Sequence, residues 1–77
     1  MDSLQEQFGA RLKLIRRRTG ISQEVLAERV GVSADLISMI ERGKVGPSFA
    51  TLDRLARELG VPVYELFIFA KAEGPQA

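Results

Sequence analysis

Cysteine and histidine are both absent from the chain. Their absence excludes disulfides, thiol chemistry, histidine general bases and almost every structural zinc site. Hydrolytic chemistry would have to rest on Asp, Glu and Lys alone. The acids Asp2, Glu6, Glu24, Glu28, Asp35 and Glu41 form no pattern of paired carboxylates, so no enzyme and no cofactor is expected. Aromatic residues make up 6% of the chain, too few for the stacking platforms of a single-strand or RNA binder. No apolar run approaches the roughly 20 residues that span a bilayer. No basic region followed by an apolar run opens the sequence, so no signal peptide is expected either. A cytoplasmic chain without a membrane partner is the simplest expectation.

What is present is a short chain with unevenly placed charge. Its 77 residues suit one domain, expected to span 1–77 with a core from about 6 to 69 and frayed ends, Gly74–Ala77 among them. Formal net charge is only +1, yet the stretch RLKLIRRR holds Arg11, Lys13, Arg16, Arg17 and Arg18 with no acid. Such a run can make a basic face suited to a polyanion. A solvated arginine-rich helix face would carry the same residues.

The apolar periodicity is helical. Phe8, Leu12 and Ile15 fall four and three apart, on a helix beginning near Leu4 to Glu6 and ending near Arg18, before Gly20. Ser22 caps a second helix, about residues 22–30, with Val25, Leu26, Ala27 and Val30 as its apolar content and Gly31 as its stop. Ser33 caps a third, about 33–42, with Asp35 in its first turn and Gly43 beyond its end. Two helices joined by so tight a turn form a helix-turn-helix. Ser48 caps a fourth, whose buried stripe is expected to be Phe49, Leu52, Leu55, Ala56 and Leu59. Pro62 suits the start of a short fifth helix that could hold Leu66. A strand through Phe67 and Phe69 is the alternative for that segment. The fold class expected is all-α, a compact bundle of four to five short helices.

The stretch GISQEVLAERVGVSADLISMIERG, Gly20 to Gly43, resembles the lambda-repressor-like (Cro/cI or Xre) helix-turn-helix family. The resemblance begins at Phe8 and continues through PSFATLDRLARELGVPVYEL to Leu66, about three quarters of the chain. Its signature residues include Arg16, Ser22-Gln23, Leu26-Ala27, Gly31, Ile40-Glu41, Gly43, Pro47 and Leu59-Gly60-Val61. It implies a helical fold that binds duplex operator DNA, usually as a dimer. Ala27, Gly31, Val32 and Ile37 would then hold the motif rigid.

The resemblance also implies roles for individual residues. Gln23, at the first turn of the second helix, would clamp a phosphate. The third helix would enter the major groove, with Ala34, Asp35, Ser38 and Met39 outward. No Gln or Asn stands there for adenine and no Arg for guanine. Readout would then lean on DNA shape, or on Arg42, Lys44 or Arg17 reaching bases. Arg42 is thus grouped with the base-proximal residues. Arg11, Arg17, Ser33, Lys44 and the Gly46 N–H join Gln23 on the phosphate side; Ser33 could cap, contact a phosphate, or both. The family pattern pairs Glu41 with Arg16, a structural task for that arginine. Leu36 is expected to pack as a satellite of the core and Met39 to lie near DNA.

The apolar run Val61, Val63, Leu66, Phe67, Ile68 and Phe69 exceeds what one core of this size needs. Tyr64, Leu66, Phe67, Ile68 and Phe69 are therefore expected at a homodimer seam, which would set two reading helices on a pseudo-palindromic site. A tail folded back on its own domain would bury the same residues. The function expected is transcriptional regulation without an evident small-molecule effector. Restriction-modification controller proteins are the sub-group matched in size. A phage-type or antitoxin-like repressor, or a protein-interaction adaptor on the same fold, is the alternative.

Overall fold

The computed structural model describes residues 3–69. Asp2 and Gly74–Ala77 lie outside the described residues. Four α-helices follow in order: α1 (Leu4–Thr19), α2 (Gln23–Val30), α3 (Ala34–Glu41) and α4 (Phe49–Leu59), then a 3-10 turn, Val63–Phe67. The fold is a compact all-α bundle of the lambda-repressor type.

Serine opens every α-helix. The hydroxyls of Ser3, Ser22, Ser33 and Ser48 accept from the N–H of Glu6, Val25, Leu36 and Thr51, which satisfies donors the helix cannot. At α1 the cap is reciprocal. Ser3 N–H also donates to Glu6 Oε1 at 2.8 Å, forming a capping box. These Ser3 bonds hold the Glu6 carboxyl below the usual glutamate range. The residues Ser3-Leu4-Gln5-Glu6 carry the spacing of that box.

The core is built from Phe8, Leu12 and Ile15 of α1, Leu26, Ala27 and Val30 of α2, Ile37 and Ile40 of α3, Leu55, Ala56 and Leu59 of α4, and Leu66 of the 3-10 turn. Phe49, expected on the buried stripe of α4, is instead 90% exposed. It is the first helical residue, on the flank of the stripe and beyond the edge of the core. The first turn of α4 buries Thr51 instead, whose hydroxyl accepts from Ser48 Oγ at 3.1 Å.

After Pro62 the chain turns rather than extending into a strand. Glu65 N–H donates to Pro62 O at 3.0 Å and Ile68 N–H to Glu65 O at 3.4 Å. With no neighbouring strand among the described residues, local bonds satisfy this backbone. The turn drops Leu66 into the core. It also sets the Phe67 ring, tilted, against those of Phe8 and Phe69, with centroids 5.2 and 6.2 Å away.

α1 and α3 meet backbone to backbone. A Cβ built at Gly9 would stand 2.7 Å from Glu41 O and 2.9 Å from Glu41 C, and closer still to Ile40 O. Only the lack of a side chain permits that crossing. Glycine inside a helix costs about 1 kcal/mol relative to alanine, so Gly9 carried a readable hint of close approach.

Candidate nucleic-acid interface

The turn between α2 and α3 is Gly31-Val32-Ser33. Gly31 takes φ 87°, and both its N–H and that of Val32 donate to Ala27 O, at 2.8 and 3.0 Å. The left-handed residue reverses the chain within one step. Ala27, Ile37 and Ile40 are buried in the core, and Val32 packs against that core. Leu36 is half-buried against the same core, so it is a packing residue.

The exposed side of α3 is narrower than its sequence implied. Asp35, Met39 and Arg42 are exposed and follow at four and three residues, one helical stripe. Ala34 and Ser38 are half-buried on its shoulder, and Ala34 touches the core. Ser33 is exposed and its hydroxyl accepts from Leu36 N–H at 3.0 Å, which leaves its own O–H to donate.

Behind that stripe lies a buried ionic knot. Arg16 Nε donates to Glu41 Oε2 at 2.6 Å and Arg16 Nη2 to Glu41 Oε1 at 3.0 Å. The third arm, Nη1, donates to Ile21 O at 2.8 Å. Both residues are 8% exposed. Hydrogen bonding to Glu41, against the opposing cost of burial, raises the Arg16 pKa further, so the guanidinium stays charged. The knot joins α1, the α1–α2 connection and the C-terminal end of α3. Breaking one half of a buried pair typically costs about 3–5 kcal/mol.

Gln23 belongs to the same knot. Its Nε2 donates to Glu41 Oε1 at 3.0 Å and the residue is half-buried. The sequence pointed to a surface amide facing outward; it carried no sign of this internal bond, which needs α3 folded against α2.

The remaining expected phosphate residues divide. Arg17, Lys44 and Gly46 are exposed. Arg11 is not placed with them. Its Nε donates to Glu65 O at 2.8 Å and its Nη2 to Glu65 Oε1 at 2.9 Å, with 12% of its side chain exposed. Its planar fork fits a carbonyl and a carboxylate together, so Arg11 fastens the 3-10 turn to α1. The dimer set divides as well. Leu66 is 0% exposed and belongs to the chain's own core, because the 3-10 turn points it inward. Tyr64, Phe67 and Ile68 are exposed, Val63 joins them, and Phe69 is half-buried.

Among the described residues no acidic cluster could hold a metal ion, and no helix is long and apolar enough to cross a membrane.

Comparison with known proteins agrees with this geometry. The profile of a family described as a helix-turn-helix domain matches residues 7–66. An uncharacterized HTH-type transcriptional regulator of Archaeoglobus fulgidus is 36% identical over 63 residues, covering 82% of this chain and 89% of that one. The control protein C.MunI of a Mycoplasma species is 34% identical over 68 residues, covering 87% and 92%. The crystal structure of the restriction-modification controller protein C.AhdI from Aeromonas hydrophila superposes with a TM-score of 0.79 at 35% identity, covering 82% of this chain and 96% of that one. The chain therefore belongs to the helix-turn-helix family of Cro/Xre-type transcriptional regulators, DNA-binding proteins rather than enzymes.

Proposed function

We propose that the chain is a sequence-selective regulator that binds duplex DNA as a homodimer on a pseudo-palindromic operator, at restriction-modification genes. The observation that carries the reading is the exposed Asp35–Met39–Arg42 stripe on a helix anchored from behind by the Arg16–Glu41 knot. A reading helix must be both accessible and rigid, and α3 is both. Arg42, with Met39 and Asp35, meets base edges, and Ala34 and Ser38 line the margin. Arg17, Gln23, Ser33, Lys44 and the Gly46 N–H take phosphates. Arg11 is left out of that set because Glu65 occupies its fork. The exposed Tyr64, Phe67 and Ile68, with Phe69 beside them, support a two-fold seam. Likeness to the restriction-modification controller protein C.AhdI, over 96% of its length, supports the restriction-modification assignment.

Selection of bound duplexes from a random pool, with oligomeric state measured by sedimentation, tests this. The expected product is a pseudo-palindrome bound by a dimer. Arg17, Arg42 and Lys44 from two protomers would release counterions with a log–log salt slope of roughly −5. Equal affinity for selected and random duplexes, or a monomer on a single asymmetric site, would overturn the proposal.

A further inference from the structure

We infer that Glu41 is a positioning residue for DNA binding: it fixes the Gln23 amide in the orientation that a phosphate needs. This rests on the proposed phosphate role of Gln23 and adds the group that sets it.

The argument begins with the acceptors of Glu41. Its Oε2 is taken by Arg16 Nε at 2.6 Å. Its Oε1 is shared by Arg16 Nη2 and Gln23 Nε2, each at 3.0 Å. An ionised carboxylate only accepts hydrogen bonds. The end of the Gln23 amide that faces it must therefore be the NH2. A flipped amide would set a carbonyl oxygen against a buried carboxylate, unfavourable both as a lost bond and as a repulsion. Gln23 Nε2 carries two N–H groups, and Glu41 uses one. The second remains for an external acceptor at the N-terminus of α2, where the helix end also favours an anion.

The consequence is preorganisation. A free glutamine side chain must be ordered when it binds a phosphate, and that ordering lowers affinity. Here α3 orders it before DNA arrives. Immobilising one such side chain is worth roughly a 2- to 12-fold change in affinity. A two-fold dimer would feel it at each half-site. The same carboxylate that fastens α1 to α3 thus also aims the phosphate donor on α2.

A double-mutant cycle on operator affinity tests the inference, with all variants measured where they are fully folded. Gln23→Met keeps length and removes the donor; it should weaken operator binding. Glu41→Met, which leaves no strong oxygen acceptor for the Gln23 amide, should weaken binding roughly 2- to 12-fold per half-site in the native background, and by less than about twofold in the Gln23→Met background. Equal losses in both backgrounds would mean that Glu41 acts on stability or α3 placement alone, and would overturn the inference while leaving the phosphate role of Gln23 intact. A neutral Gln23→Met would overturn both. Should Glu41→Met fail to fold, side-chain 15N relaxation on the unbound native protein decides the matter. A Gln23 amide as ordered as the backbone supports the positioning role, and a freely reorienting one refutes it.

Discussion

Replacing Gly9 by alanine sets two large effects against each other, and the structure says which wins. In an ordinary helix interior, glycine to alanine stabilises by roughly 0.5–1 kcal/mol. At Gly9 the new methyl would meet the last turn of α3, 2.7 Å from Glu41 O and 2.9 Å from Glu41 C. Carbon contacts are comfortable at roughly 3.5–4.0 Å, so α1 and α3 would have to part by about an ångström. The obstacles are backbone atoms, with no rotamer to yield. Overpacking of this kind costs about 1–3 kcal/mol and sometimes more. The displacement would also stretch the Arg16–Glu41 bonds across the same crossing. With the strain on those bonds added to the difference, the expected net change is a loss of about 1–3 kcal/mol. For a domain of this size that is a fall in Tm of roughly 5–20 °C. Thermal unfolding followed by circular dichroism measures it. Gly46→Ala serves as the control, since a Cβ there would meet only the Gln5 side chain, at 3.7 Å or beyond. Its stability should stay within about 0.5 kcal/mol of the parent. A Gly9→Ala variant as stable as the parent would refute the claim that α3 is seated on the α1 backbone.

Two further outcomes follow from side chains that the structure moved. Arg11→Ala should cost about 1–3 kcal/mol in urea unfolding, from the lost charged hydrogen bonds to Glu65, while the salt slope of operator binding stays unchanged. A shallower slope with unchanged stability would return Arg11 to the phosphate face. Phe49→Ser should alter stability by less than about 0.5 kcal/mol, whereas Leu55→Ala should cost about 2–5 kcal/mol; comparable losses would put Phe49 back in the core.

Helix limits were legible because they are local. Ser22, Ser33 and Ser48 start helices through bonds to residues three positions on, and Gly20, Gly31 and Gly60 close them in left-handed conformation. The core of α1 to α3 was legible for the same reason, as periodicity. Phe49 misled because a stripe in sequence does not reveal where the neighbouring helices stop. Gly9 and the Gln23–Glu41 bond are contacts through space, and no spacing within one helix encodes them. The Arg16–Glu41 pairing came from family resemblance and not from residue spacing, which gives two residues 25 apart no reason to meet. Arg11 looked like one more member of a basic run. Its partner Glu65 lies 54 residues away, on a segment for which helix and strand were both open. The apolar run groups Leu66 with its neighbours at a dimer seam, and the 3-10 turn separates it from them by burying it in the core.

The Arg11–Glu65 tie also bears on the order in which the molecule assembles. Helices of 8 to 16 residues are too short to persist alone, but their starts and stops are set within a few residues, and neighbouring helices dock over short loops. Chains built on such local contacts fold quickly, in milliseconds or less. Closing the 54-residue loop from Arg11 to Glu65 carries the largest entropic cost of the side-chain ties described, and little recovers it until α1 and α4 are in place. The 3-10 turn is therefore expected to dock last. In the proposed dimer, Tyr64, Phe67 and Ile68 would gain a fixed arrangement only on a chain that has otherwise finished folding, so an incompletely folded copy would offer no ordered patch for another to pair with.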